Sequence, residues 1–314
     1  MVAISRTYPE PSATPFLKWV GGKRQLLEDI LPRLPGRMRT YYEPFIGGGA
    51  VFFALASQDR FDRAVIADKN TALVETYRVV RDDVEGLIRE LERHVDHATD
   101  SDYFYEVRAV ETATLSDVER AARLIFLNKT CFNGLYRVNR SGRFNVPFGR
   151  YKNPRVLNPT VLRTCSALLR GVEILESDFA DVARRAGRGD GIYFDPPYVP
   201  VSATSSFTAY AKHPFGPDAH DRLATAYASC VRRGAVALMS NSDCKVTRSL
   251  YADFEVETVQ ATRNVNSVAS KRGAIAEVLV VGLKPHARRV VAAVPDDSAV
   301  EAAVAKKRGK KKVG

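Results

Sequence analysis

A chain of 314 residues suits one large or two ordinary domains at about 150 residues each, and a hydrophobic content of 45% supplies a proper core. Four scattered cysteines (Cys131, Cys165, Cys230, Cys244) without a CxxC pair argue against a zinc centre and a disulfide framework, and fit a reducing cytoplasm. No apolar run approaches the roughly 18 residues of a membrane helix, and Met1–Pro15 has no signal-peptide core, so a cytoplasmic protein with no membrane partner is expected.

In chain order, the first feature is Phe16-Leu17-Lys18-Trp19-Val20-Gly21-Gly22-Lys23, which holds the single tryptophan. A lysine after two glycines is suited to meet a carboxylate, such as that of an amino-acid-like ligand. A strand is predicted over Thr40–Phe45, ending in Glu43-Pro44-Phe45-Ile46-Gly47-Gly48-Gly49 before a helix at Ala50–Ser57. Glycines at a strand-to-helix turn let backbone approach a ligand closely, and the helix start presents N–H groups. Gly47 and Gly49 lack the third glycine of the dinucleotide fingerprint, since Phe52 stands there, so a nicotinamide cofactor is not expected. The next strand, Ala64–Asp68, ends in Asp68-Lys69-Asn70 before a helix at Thr71–Val80. Asp68 lies about 20 residues past the turn, where an acid accepts from ribose hydroxyls. Its plainer role is to cap the following helix with Thr71.

Residues 72–158 break the alternation of strand and helix. They read as helices at Val84–His94, Tyr103–Ala109 and Ser116–Thr130, then a hairpin near Tyr136–Phe148 turning at Arg140-Ser141-Gly142. The net charge of +11 concentrates here, for no acid occurs between Arg120 and Val172. Lys129, Arg137, Arg143 and Lys152 are interleaved with Phe132, Tyr136 and Phe148. One-signed charge with stacking residues suits a polyanion with exposed bases, which points to nucleic acid.

Strand and helix then alternate again. Strands are predicted at Val172–Glu176, Gly191–Asp195, Val236–Asn241, Phe254–Thr262 and Ile275–Leu283, with helices at Asp178–Ala186 and Asp218–Arg233. Ser177-Asp178-Phe179 closes one strand and offers an acceptor to an adenine amino group. Adenine, ribose and amino-acid ends together describe S-adenosylmethionine. The strand Gly191-Ile192-Tyr193-Phe194 ends in Asp195-Pro196-Pro197-Tyr198. Two prolines force the chain out of the sheet at the carboxyl end of a strand, where open α/β sheets bind ligands. Asp195 and the Pro196 carbonyl offer two acceptors for an amino group, and Tyr198 offers a ring on which a planar base can stack. The whole is a doubly wound α/β sheet with an inserted helical module. After Lys284 the chain becomes Ala/Val-rich and ends in a run of lysines, and residues 286–314 are expected to be a disordered basic tail.

These motifs, in this order from Phe16 to about Val281, resemble the DNA N6-adenine methyltransferase family, in particular its GATC-methylating group. Phe132-Asn133-Gly134-Leu135-Tyr136-Arg137, Phe144 through Tyr151, Ser202-Ala203-Thr204 with Phe207 to Tyr210, and Ser240-Asn241-Ser242-Asp243 complete the match. The resemblance implies a Rossmann-like sheet, residues 1–71 and 159–285 as a discontinuous catalytic domain, and residues 72–158 as the target-recognition domain. It implies cofactor contacts from Trp19, Lys23, Glu43, Phe45, Gly47, Gly49, Asp68, Asn70, Asp178 and Phe179. It implies that Asp195, Pro196, Pro197 and Tyr198 hold the reacting base. For double-stranded DNA it points to Arg137 reading guanine, Phe132 wedging into the duplex, and Asn133 and Pro147 at base edges, with Lys129, Tyr136, Asn139, Arg143 and Lys152 around them. No obligate protein partner is implied. The expected reaction is methyl transfer from S-adenosylmethionine to a flipped adenine in GATC. A longer GAT-containing site, cytosine N4 as acceptor, or a catalytically dead DNA-binding relative are the rivals.

Overall fold

A computed structural model describes residues 14–19, 21–139, 141–200, 215–262 and 274–283. The elements run in chain order as follows. A 3-10 turn at Lys23–Leu26 and a short helix α1 (Leu27–Ile30) precede β1 (Met38–Glu43), α2 (Ala50–Ser57), β2 (Phe61–Asp68) and α3 (Thr71–Asp82). Next come α4 (Val84–Val95), α5 (Ser101–Ala109), α6 (Asp117–Thr130) and α7 (Pro159–Leu169). The chain then returns to β3 (Glu173–Glu176), α8 (Phe179–Arg185), β4 (Gly191–Phe194), α9 (Pro217–Arg232), β5 (Val236–Ser242), α10 (Lys245–Leu250), β6 (Glu255–Thr262) and β7 (Ala274–Gly282). The seven strands form one sheet in the order β3-β2-β1-β4-β5-β7-β6. β7 runs antiparallel to β5 and β6, while β1–β5 pair in parallel. This is a Rossmann-like, doubly wound mixed α/β sheet.

Alternation along the central strands splits the core between two faces. Tyr41, Ile66, Tyr193, Leu238 and Leu279 point into a cluster with Phe16, Phe53, Tyr77, Phe104 and Phe126. Tyr42, Val65, Ile192, Phe194, Met239 and Val280 face Phe179, Leu223, Tyr227 and Tyr251 under α8 and α9. The first cluster runs without interruption from the sheet into α4, α5 and α6, so those helices are packed on the sheet's own core rather than hung from it.

The expected elements are present, with several differences: β2 starts at Phe61, three residues before the expected Ala64, and the short helices α1 and α10 were not expected. β1 begins two residues earlier than expected and stops at Glu43, because Pro44 has no N–H for the ladder. Helix α7 was not anticipated, although Asn158 caps it through the Val161 N–H and Pro159 opens it. The hairpin is held by two isolated antiparallel bridges, Val138 to Phe144 and Cys131 to Phe148, instead of long strands. The Ser202–Tyr210 motifs and the lysine-rich tail lie outside the described residues. Among the described residues no helix is long and apolar enough to cross a membrane.

Candidate active site

The parallel strands β3, β2, β1 and β4 are neighbours, so their carboxyl ends bring Asp178, Asp68, the Gly47–Gly49 turn and Asp195 to one edge of the sheet. After β1, Ile46 donates to the Ala67 carbonyl at 2.9 Å and Gly49 donates to the Ile46 carbonyl at 2.7 Å. Gly47 (φ 46°) and Gly49 (φ 73°) take the left-handed region. A Cβ on Gly47 would stand 2.9 Å from Trp19 Cδ1, and one on Gly49 would stand 2.6 Å from the Tyr77 hydroxyl. The turn therefore demands glycine for both conformation and space.

Asp68 Oδ2 accepts from the Gly47 N–H at 3.3 Å and its Oδ1 from the Asn70 N–H at 3.0 Å. The cap of α3 is Asn70, whose side chain accepts from Leu73; Asp68 is not the cap. Burial raises the Asp68 carboxyl, and the backbone N–H groups partly offset this. Asn70 also hydrogen-bonds Tyr136, whose ring stacks on Trp19 with centroids 5.4 Å apart, so the hairpin leans on the Trp19 segment and the end of β2. Phe45 stacks on Phe179 at 5.5 Å beside Phe215. Asp178 caps α8 through the Ala180 N–H and is held by Lys69 (2.6 Å) and Arg222 (2.9 Å). Desolvation pushes its carboxyl up, and the Lys69, Ala180 and Arg222 contacts outweigh it, so its net shift is downward.

Glu43 is fully enclosed at the end of β1 and accepts from the Tyr41 hydroxyl at 2.6 Å. Burial pushes its carboxyl up to about 8, with the nearby Asp195 charge adding to the effect. Asp195 follows β4 and is partly buried. Its Oδ1 meets Lys23 Nζ at 3.0 Å and the Ser240 hydroxyl at 3.0 Å, and Ser240 also hydrogen-bonds Tyr193 at 2.8 Å. Burial raises the Asp195 carboxyl above the ordinary range, and Lys23 and then Ser240 restrain that rise. Lys23 thus meets a carboxylate as expected of it, but the partner is Asp195. Its ammonium also donates to the Gly21 carbonyl at 2.6 Å and lies 4.8 Å from the Tyr198 ring centroid. Pro196 is buried and Pro197 exposed, and the Tyr198 hydroxyl donates to Glu277 at 2.6 Å.

Of the expected DNA side chains, Tyr136 lies against Trp19, and the others occupy the end of α6 and the turn region that follows it. Phe132 is 45% exposed, and its N–H donates to the Pro147 carbonyl at 2.9 Å. Asn133 follows with φ 56°. Arg137 donates through Nε to Asn145 Oδ1 at 2.7 Å and through Nη2 to the Asn145 carbonyl at 3.1 Å. The Asn139 side chain closes the turn by accepting from Ser141 and Arg143 N–H groups. Arg143 pairs with Glu111 at 3.0 Å, and Lys152 is exposed. Lys129 is half-buried; desolvation pulls it down to about 8, with Lys18 adding repulsion.

Sequence reasoning gave no role to four residues that organise this region. Ser240 and Asn241 lie one and two places beyond Met239, which pairs with Phe194, so register alone puts them beside Asp195. Glu277 is opposite Ser242. Asn128 donates to the carbonyls of Lys18 and Gly134 and accepts from the Lys18 N–H, tying the Phe16–Trp19 segment to α6 and the Phe132 turn.

The sequence model of the D12 class N6 adenine-specific DNA methyltransferases matches residues 19–265. The chain is 42% identical over 283 residues to the Type II methyltransferase M.MjaIII of Methanocaldococcus jannaschii, covering 85% of this chain and 98% of that one. It is 40% identical over 272 residues to the Type II methyltransferase M1.LlaDCHI of Lactococcus lactis subsp. cremoris, covering 85% and 94%. With the DNA adenine methylase of Escherichia coli (strain K12) the identity is 34% over 269 residues, covering 85% and 94%. With an Asp-Pro-Pro-Tyr loop at the carboxyl edge of its sheet and these matches over most of its length, the chain belongs to the family of D12 class N6 adenine-specific DNA methyltransferases.

Proposed function

We propose that this enzyme transfers a methyl group from S-adenosylmethionine to N6 of an adenine extruded from duplex DNA, within GATC. The observation that carries the reading is the placement of Asp195 and Tyr198 at the sheet edge shared with the Gly47–Gly49 turn and Asp68.

The donor set fits that cofactor. The Gly47–Gly49 turn has no space for side chains, Asp68 offers acceptors for ribose hydroxyls, and Asp178 with Phe45 and Phe179 offers a carboxylate beside stacked rings. Trp19, Glu43 and Asn70 enclose the same edge. Lys23 has three N–H donors, two of them engaged with Asp195 and Gly21, which leaves one for a cofactor carboxylate. When bound, S-adenosylmethionine supplies an electrophilic methyl group on a sulfonium.

The obstacle on the acceptor side is the adenine N6 lone pair, which is spread into the ring. Asp195 and the Pro196 carbonyl, accepting the two N6–H bonds, draw N6 toward tetrahedral geometry and aim its lone pair. This is positioning and electrostatic preorganisation, worth several kcal/mol. Positive charge would grow on N6 as its bond to the methyl carbon forms and the methyl–sulfur bond breaks, the sulfur departing as a neutral thioether, and the N6 proton then leaves past Asp195 to solvent. Extrusion of the base costs a few kcal/mol, offset by stacking on Tyr198. Residues 72–158 act as the recognition part, with Arg137 on a guanine, Phe132 filling the gap left by the extruded base, and Asn133 and Pro147 at neighbouring base edges. The basic and aromatic side chains around them contact the phosphates and sugars.

The test is methyl incorporation from radiolabelled S-adenosylmethionine into plasmid DNA, followed by sequencing of the modified bases after expression in a methylation-free host. Methylated adenine in GATC is expected. Modified adenine outside GAT contexts would refute the assigned site and the role given to Arg137.

A further inference from the structure

We propose that Glu277, on the antiparallel strand β7, is a positioning residue that fixes the Tyr198 ring for the extruded base. The inference rests on the adenine reading above. Three observations carry it. The Tyr198 hydroxyl donates to Glu277 Oε2 at 2.6 Å. The next residue, Val199, donates its N–H to Asn241 Oδ1 at 3.0 Å, a fully buried side chain on β5. Between Asp195 and Tyr198 stand two prolines, which have no N–H to join a ladder. The backbone cannot hold this loop by sheet pairing, so side chains from β5 and β7 hold it instead.

The contact does more than anchor. A tyrosine ring pinned only at Cα keeps rotamer freedom, which a base must remove when it stacks. A hydroxyl fixed to Glu277 removes that freedom beforehand. Hydrogen bonding to a carboxylate also enriches the ring, and its face already attracts a cation, the Lys23 ammonium 4.8 Å from the centroid. A ring so enriched is suited to stack with a base whose amino nitrogen becomes positive during transfer.

The experiment compares Glu277→Ala, Glu277→Gln, Tyr198→Phe and the Tyr198→Phe/Glu277→Ala double variant, using duplex DNA with adenine or 2-aminopurine at the target position. Glu277→Ala is expected to lower kcat at least tenfold and to leave KM for S-adenosylmethionine within twofold. The 2-aminopurine emission of each bound complex should change, whereas a merely structural loss would lower the fraction of competent protein without changing that emission. Gln, which still accepts a hydrogen bond, should recover most of the rate. Tyr198→Phe should match Glu277→Ala, and the double variant should fall no further. A double variant reduced by the product of the two single effects overturns the proposal. So does Glu277→Ala within twofold of wild-type kcat. If Glu277→Ala fails to fold, Tyr198→Phe breaks the same bond without touching β7, and wild-type kcat for it overturns the proposal equally. A wild-type protein that places no methyl group on duplex adenine overturns the reading of the site itself, before any variant is compared.

Discussion

The sheet edge and the 131–151 turn region hold their side chains in opposite ways. At the edge, carboxylates sit at strand ends, Glu43 buried and Asp68 and Asp195 partly buried, and desolvation shifts them upward: Glu43 to about 8, with Asp68 and Asp195 also raised. In the turn region the groups are more exposed and held by short local hydrogen bonds, Asn145 to Arg137 and Asn139 to its own turn. In the proposed reading, chemistry that must be aimed is built on the rigid core, and recognition of a long polymer on loops beside it. The two regions meet where Trp19 stacks on Tyr136 and Asn70 hydrogen-bonds the same tyrosine, and where Lys18 donates to Tyr151.

Removing the acceptor at the edge should have the largest effect. Asp195→Ala is expected to reduce methyl transfer about a thousandfold, the scale of losing a preorganised electrostatic contact, while DNA and cofactor affinity change only a few-fold. More than a tenth of wild-type turnover in single-turnover assays would remove Asp195 from the chemistry. Asp68→Ala should weaken S-adenosylmethionine binding by about 1.5–3 kcal/mol, with no change in DNA affinity measured without cofactor. Calorimetry showing unchanged cofactor affinity would reduce Asp68 to a brace for the glycine turn. On the recognition side, Arg137→Ala should cost about 1–3 kcal/mol of discrimination at one guanine and bring altered sites closer to GATC in rate. Lys152→Ala should instead weaken all sequences alike and lower the salt slope by about one phosphate contact. A base-specific loss from Lys152 would erase the distinction between the two kinds of contact.

The smallest effect is on stability. Glu43 binds its proton more tightly in the folded chain, about 8 against an ordinary 4.5, so the folded state holds the extra proton between those values. Stability from this group is therefore lost as pH rises through that window and is level above it. Glu43→Gln, neutral throughout, should flatten that slope and raise stability near pH 8 relative to the wild type. Parallel urea curves for the two proteins from about pH 5 to about pH 8 would show that the Glu43 environment is wetter than its enclosure implies.

The basic block shows where a chain reading stops. No acid lies between Arg120 and Val172 in the sequence, yet Arg120 pairs with Glu75, Arg143 with Glu111 and Arg163 with Glu85. Arg123 is spent on the Val107 and Arg108 carbonyls. The one-signed run in sequence becomes a partly neutralised surface in space, because packing α6 and α7 against α3 and α4 brings acids from earlier helices alongside.

The strand-helix order, the glycine turn and the Asp-Pro-Pro-Tyr loop were legible because each is local. Periodicity 2 or 3.6 reveals the element, and Gly47, Gly49, Pro196 and Pro197 permit few backbone paths. The carboxylates at the ends of parallel strands then share an edge by topology alone. Sequence could not show that Lys23 pairs with Asp195, that Ser240 and Tyr193 brace that carboxylate, or that Glu277 receives the Tyr198 hydroxyl. Those contacts join residues 45 to 172 positions apart, so strand register and the packing of the Lys23 turn against β4 decided them, and no local pattern encodes either.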